Sequence, residues 1–248
     1  AVKLHTDPDG NPTANDYDAF GRIVRTTAPD ATDTDVTYER CDVADCSAVV
    51  NAVAAVRITT AVTNGGVQVA PLQTRYLDVV GREVLSTVEA LNAANGWRGQ
   101  RTEYDNRNRV KYVSKPYFST QTTPTCTAAG PNCTWFTYDL LDRVTREDRP
   151  DGGFTTTAFS GATGAETITV TETVKQTGSA DVTRAKQSQF NVLGQLTQTT
   201  DAYGSGNAIA TTYDYDAQGN LRIVLVNGVQ MATMTYDLVG NRTNLNDA

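Results

Sequence analysis

Polar and apolar residues alternate along much of this chain with a period of two. Thr167-Ile168-Thr169-Val170-Thr171 alternates without a break, as expected of a strand that turns one face to a core. From Leu221 to Val226, Leu221, Ile223 and Leu225 fall on one side and Arg222, Val224 and Val226 on the other. Threonine, valine and tyrosine, residues that suit a pleated surface, recur throughout. Asp9-Gly10, Asp151-Gly152 and Asn227-Gly228 are hairpin dipeptides between such runs. Two stretches lean toward helix: Ala48 to Val56, a run of alanine and valine, and Val88 to Ala94, alanine-rich with a Glu. Ser119 to Asn132 is rich in Thr, Pro and Gly and reads as a loop. The expected fold is all-β, a long antiparallel meander. No shift of composition marks a boundary, so residues 1–248 read as a single segment.

A second kind of reversal recurs. Tyr17-Asp18-Ala19-Phe20-Gly21-Arg22, Tyr215-Asp216-Ala217-Gln218-Gly219-Asn220 and Tyr236-Asp237-Leu238-Val239-Gly240-Asn241 are its clearest copies. Seven copies align on the acid or amide: Asp18, Asp78, Asp105, Asp139, Asn191, Asp216 and Asp237. The preceding residue is Tyr17, Leu77, Tyr104, Tyr138, Phe190, Tyr215 or Tyr236. Three positions on come Gly21, Gly81, Asn108, Asp142, Gly194, Gly219 and Gly240, then Arg22, Arg82, Arg109, Arg143, Gln195, Asn220 and Asn241. Asp or Asn accepts a hydrogen bond from the backbone two residues on and so starts a turn. Gly, Asn and Asp are the residues that best tolerate positive φ. The large residue before the turn and the apolar one after it can then face one core.

The spacing points to a basic unit of 21 residues, the interval from Asp216 to Asp237. Two gaps are too wide for one unit, 60 residues from Asp18 to Asp78 and 52 from Asp139 to Asn191. A step of 21 lands on Glu39 after Tyr38 and on Ser160 after Phe159, which read as decayed copies. The total is about nine hairpin units. WD-type propellers need about 40 residues per blade, and a parallel β-helix has no use for a hairpin turn in every unit.

The net charge of −7 and pI of about 4.7 argue against nucleic acid or an anionic membrane as the main partner. No apolar run is long enough to span a bilayer, and the first residues do not form a signal peptide. The pattern runs nearly to both ends, so the chain is expected to be a piece of a longer protein. Four cysteines form two close pairs, Cys41/Cys46 and Cys126/Cys133, both between turn motifs. Disulfides would close small local loops and imply an oxidising location. Free thiols and a four-cysteine zinc site are the alternatives, the latter against the tighter spacing that zinc favours.

The tyrosine–aspartate turn followed by Gly-Arg, in units of 21 residues or more, resembles the YD-repeat (Rhs-repeat) family of bacterial Rhs proteins, insecticidal toxin complexes and teneurins. The resemblance covers Asp9 to Arg242. Glu103-Tyr104-Asp105-Asn106-Arg107-Asn108-Arg109-Val110, leading to Lys115-Pro116-Tyr117-Phe118, is similar to the longer units of toxin-complex and Rhs proteins. The resemblance implies a curved β-strip that spirals into a shell, in many members around a C-terminal toxin domain, in a secreted or cell-surface bacterial protein. Partners would be the remaining repeats and an enclosed toxin domain. The Asp-Pro-rich autoproteolytic segment of complete members is absent; Asp7-Pro8-Asp9-Gly10 is only superficially similar and reads as an inter-hairpin turn.

No catalytic residue, metal or cofactor is assigned. The one histidine, His5, would have to carry any triad or imidazole metal site alone, and the repeated carboxylates are already explained by turns rather than by glycoside hydrolysis. Asp7, Asp9, Asn11, Thr13, Asn15 and Asp18 fall at calcium-loop positions, but Pro12 stands where glycine belongs. Arg22, Arg82, Arg109 and Arg143 are expected to form an Asp–Arg ladder that fixes register; a stripe for acidic sugars is the functional alternative. Trp97 and Trp135 are the only tryptophans available to stack on sugar rings. The expected function is a non-enzymatic shell segment, with a carbohydrate- or receptor-binding surface module as the alternative and a glycan as its partner.

Overall fold

The computed structural model describes residues 3–42, 46, 54–121, 124–128, 130–162 and 165–247. Among them are twenty strands and one 3-10 turn, and strands pair antiparallel within each unit. Contacts divide the chain into two compact units, Ala1–Thr127 with Asn132–Thr134, and Ala128–Pro131 with Trp135–Ala248. No change of composition marks the division.

The first unit is a meander of β1 (Leu4–Thr6), β2 (Pro12–Tyr17), β3 (Ile23–Thr27), β4 (Thr32–Arg40), β5 (Val56–Asn64), β6 (Val67–Leu77), β7 (Glu83–Glu89), β8 (Trp97–Tyr104) and β9 (Val110–Ser114). Each strand pairs with the next. β10 (Tyr117–Phe118) then pairs with the first half of β8. At that junction the Ser114 hydroxyl accepts the Arg101 amide at 2.9 Å, and Gln100 bonds the Ser114 carbonyl. Gly99 is required there, because a Cβ would lie 2.7 Å from the Trp97 ring and 3.0 Å from the Ser86 carbonyl oxygen. The second unit contains most of β11 (Cys133–Tyr138), then β12 (Val144–Asp148), β13 (Phe154–Ala162), β14 (Ala165–Val174), β15 (Val182–Phe190), β16 (Leu196–Asp201), β17 (Ile209–Tyr215), β18 (Leu221–Val226), β19 (Val229–Tyr236) and β20 (Arg242–Asp247). It too pairs in strict sequence order.

A meander puts alternate connections on opposite edges. All seven aligned turns join an even-to-odd step of β2–β9 or an odd-to-even step of β11–β20, and within each unit they share one edge. The core of the first unit is small: Cys46, Tyr76, Val84 and Leu85, with Cys41, Ala54 and Tyr104 packed against it. Leu85 and Cys133 are the fully buried large side chains among the described residues.

Several expectations change. The helical reading of Ala48 to Val56 lies largely outside the described residues, and Val56 opens β5. In Val88 to Ala94, Val88 and Glu89 end β7, and only Ala93–Asn95 coil, as a single 3-10 turn. Strand pairing takes Val88 and Glu89, and the Ala90 amide bonds the Gly96 carbonyl, so the alanines fall in a connection too short for an α-helix. Asn227-Gly228 is a two-residue hairpin turn with both φ positive, 48° and 80°. Gly65-Gly66 is another, at 56° and 80°. Asp9-Gly10 and Asp151-Gly152 are not of this type. They occupy the last two tip positions of the wider turn described next.

Candidate functional site

The seven aligned motifs share one geometry. In each, the residue before the acid pairs with the residue five after it, as in Tyr17↔Ile23, Leu77↔Glu83, Tyr104↔Val110 and Tyr236↔Arg242, and a bulge adjoins this pair. The acid's amide donates to the carbonyl four residues on, and the amide at position three returns to the acid's carbonyl. Position three has positive φ in all seven, 64–65° at Asp142 and Asn108 and 76–89° at the five glycines. The acid's Oδ1 accepts two backbone amides. For Asp78 these are Val80 at 3.0 Å and Arg82 at 2.9 Å; Asp18, Asp105, Asp139, Asn191, Asp216 and Asp237 repeat the pattern. The second side-chain atom binds the side chain four residues on: Arg22, Arg82, Arg109 and Arg143 through Nε at 2.7–2.8 Å, and Asn220 and Asn241 at 3.0 Å. In the Asn191 copy the polarity reverses, and its Nδ2 donates to Gln195. The Asp–Arg pairs therefore close within one turn, and the expected ladder between hairpins is built by other contacts.

One such contact is a socket for the next repeat's aromatic residue. The Arg82 guanidinium lies 4.4 Å from the Tyr104 ring centre, and Tyr104 Oη donates to the Glu83 carbonyl at 3.0 Å. Tyr215 Oη donates to the Leu196 carbonyl and Tyr236 Oη to the Leu221 carbonyl, both at 2.8 Å. In every case the acceptor is five residues past the preceding turn acid. The arginine also reaches onward, from Arg82 Nη1 to Asn108 Oδ1 at 2.7 Å. The Gln195 amide likewise reaches the Gly219 carbonyl.

The socket explains the two decayed positions. Tyr38 and Phe159 lie inside β4 and β13, with no turn beginning at Glu39 or Ser160. Their rings still sit under the preceding turn's arginine, Arg22 at 4.2 Å and Arg143 at 3.9 Å. Glu39 instead pairs with Arg57 across β4 and β5.

One copy of the turn escaped the alignment. Asp7 accepts the Asp9 and Asn11 amides and the Asn11 side chain, with Gly10 at φ 87°. It lies on the edge opposite the Asp18 turn, and Thr6 stands where six of the seven have an aromatic residue and the other has Leu77. Ala28 and Arg149 head the same backbone frame without the acid. Both carry Pro-Asp at the next two positions, a cue that was present in the sequence. The calcium-loop candidate is thereby divided: Asp7 and Asp18 serve turns at opposite ends of β2, and Asn15 accepts the Thr26 hydroxyl. Among the described residues no group of three or more His, Cys, Asp or Glu gathers to hold a metal ion. His5 lies in β1, opposite Thr13.

Electrostatics match the geometry. Asp18, Asp78, Asp105 and Asp139 are held below the usual carboxylate range: burial pushes them up, but the two backbone amides and the arginine outweigh it. Asp216 and Asp237 are lowered chiefly by the amides of Asn220 and Asn241, and Asp7 by Asn11. Tyr112, buried and bonded to Glu103, is pushed up to about 12. Cys41 is bonded to Cys46 and Cys126 to Cys133, with Cα atoms 5.3 and 5.5 Å apart. An open groove of about 650 Å³ in the first unit is lined by Asp16, Phe20, Arg22, Arg25, Asp35 and Tyr38 among others.

No known family's sequence profile matches the chain, and no curated protein matches it. Solved structures do. A crystal structure of TcdB2-TccC3-TEV matches with a TM-score of 0.59 at 14% identity, covering 100% of this chain and 19% of that one. TcdB2-TccC3 without its hypervariable C-terminal region matches at 0.58 and 14%, covering 99% and 18%. TcdB2-TccC3-Cdc42 matches at 0.56 and 14%, covering 100% and 19%. The chain shares the fold of part of these proteins and spans less than a fifth of their length.

Proposed function

We propose that this chain is a non-enzymatic stretch of wall in an Rhs/YD-type shell that encloses or displays a toxin or effector domain of a secreted or cell-surface bacterial protein. One observation carries the reading: the polar groups of the repeated turn are committed to that turn and to the next hairpin. The acid binds its own backbone, the arginine binds the acid and covers the next aromatic ring, and that ring's hydroxyl returns to the preceding strand. Such a module extends a sheet one hairpin at a time. The fold shared with TcdB2-TccC3 supports the assignment, as does the fraction of those chains that this segment spans. The remaining repeats would then be its first partners. A hypervariable C-terminal region, named for one matched structure, is the kind of cargo such a wall would hold.

Limited proteolysis of the full-length polypeptide tests this. The reading predicts that a region outside the repeats resists cleavage while the wall is folded and becomes sensitive when the wall is unfolded. Digestion of every non-repeat region at the same rate in both states would contradict enclosure. The groove beside Phe20, Arg22 and Tyr38 favours a second reading, a carbohydrate- or receptor-binding module. Saturable binding on a glycan array, lost in Phe20→Ala, would move the assignment there.

A further inference from the structure

We propose that the pocket beside the β7–β8 connection binds a monocarboxylate carried on an apolar body, with Arg98 as the anchor of the anion. The pocket lies where the repeat is interrupted. Residues 90–96 replace the short repeated turn, and β10 comes back to pair with the start of β8. Val88, Arg98 and Phe118 stand opposite one another on β7, β8 and β10, so all three leave the same face of the sheet. The adjoining row, Thr87, Gly99 and Tyr117, leaves the other face; there Thr87 and Tyr117 are buried, and the Trp97 ring meets Tyr117 edge-on at 5.7 Å. The Val88 row opens instead on a pocket of about 490 Å³, whose walls include Leu91, Asn92 and Asn95. That volume suits a small organic ligand. The connection is braced in place: Ser119 Oγ donates to the Asn95 carbonyl and accepts the Trp97 amide, both at 3.2 Å. A Cβ on Gly96 would lie 2.1 Å from that oxygen.

Charge selects the ligand. In the same unit Arg25, Arg57, Arg75 and Arg82 each hold a carboxylate. Arg98 does not: among the described residues its guanidinium has no hydrogen-bonded or ion-paired partner. A shortage of acids is not the reason, since they outnumber the bases 28 to 21. Glu89, the acid beside Val88, is turned to β6, where its Oε2 accepts the Gln68 side chain at 2.6 Å and the Leu72 amide at 3.1 Å. A guanidinium fork takes a carboxylate through two parallel bonds. Asn92 Oδ1 accepts the Ala94 amide at 3.0 Å, which leaves the Asn92 amide nitrogen as a further donor. Glu89 also lines the pocket, so a second negative charge on the ligand would be repelled. The other walls are apolar: Val88 is 42% and Leu91 99% exposed, and Phe118 is half-buried. An aliphatic or aromatic body laid on them would remove that surface from water. Two sources carry this chemistry, a free organic acid and the C-terminus of a polypeptide that ends in an apolar residue.

Calorimetric titration of the chain with hydrocinnamate tests the proposal. The comparison ligands are hydrocinnamamide, which lacks the charge, inorganic phosphate, which lacks the body, and acetyl-phenylalanyl-leucine with a free or an amidated C-terminus. The expected result is saturable binding of the acids, with the amides weaker by about tenfold or more. Arg98→Gln should weaken the acids to the same degree, and Leu91→Ser by about threefold or more. Arg184→Gln removes another arginine without a partner among the described residues and should leave binding unchanged. Arg98 and Leu91 are exposed, so the strand circular dichroism should be that of the wild type; should Arg98→Gln alter it, Arg98→Lys, which keeps the charge but not the fork, takes its place. Tighter binding of the dipeptide acid than of hydrocinnamate would identify a polypeptide end as the source, and the reverse order a free acid. No saturable binding of either acid, amides that bind as well as the acids, phosphate that binds as tightly, or equal losses in Arg98→Gln and Arg184→Gln would each overturn the proposal.

Discussion

Asp78 is 5% exposed and accepts three hydrogen bonds from its own turn. Asp78→Ala should therefore lower stability by about 1–2 kcal/mol in urea unfolding, since it leaves partly buried donors without their acceptor. Asp78→Asn keeps the Oδ1 acceptor, as Asn191 does, and should cost less than half as much. Equal losses would mean that charge, not the backbone bonds, shapes the turn. The lowered carboxyls fix the sign of the acid response. A group whose folded pKa lies below its unfolded value contributes stability above the unfolded value and loses it as pH falls through the folded one. Stability should thus hold from neutral pH to about 4, near the ordinary carboxylate pKa, and fall below that. An unfolding midpoint unchanged at pH 2.5 would contradict it. The socket predicts coupling between hairpins: Tyr104→Phe should cost about 0.5–1.5 kcal/mol. An Arg82→Ala/Tyr104→Ala double-mutant cycle should show about 0.5–1 kcal/mol of coupling, and a cycle that closes to zero would remove the cation–π contact from the account. The acid, the glycine and the following arginine were legible because their spacing is local. The socket was not, because it joins residues of successive repeats across a strand pair, and only the retained Tyr38 and Phe159 hinted at it.

At the scale of elements, the insertions carry what the repeat cannot. Where a turn is missing after Tyr38, Cys41 and Cys46 bond, and Cys46, 3% exposed, packs with Tyr76, Val84 and Leu85. Cys133, 1% exposed, is tied to Cys126 across the long connection that follows β10. Reduction should lower stability by about 2 kcal/mol per bridge, the chain-entropy value for loops this short. Urea curves with and without reductant should separate accordingly; superimposed curves would deny both bridges a structural role. The close pairing of these cysteines was visible in the sequence, but their place in the core was not. The Val88–Ala94 stretch shows the opposite limit, where two residues end a strand and the alanines fill a connection too short for a helix.

The whole molecule is a repeat fold, and its order was the most legible feature because one turn recurs with one chemistry. The division into two compact units emerged only from coordinates, as did the acid-headed geometry that the Asp7-Pro8-Asp9-Gly10 turn, itself legible in the sequence, shares with the other seven. The account predicts a wall that continues by strand pairing beyond this segment. Cryo-electron microscopy of the full-length polypeptide tests this most directly. The predicted map shows residues 3–247 paired strand to strand with further repeats and closed around density from another region of the protein. A map in which this segment stands apart as a free domain, with solvent on every side, would contradict the account.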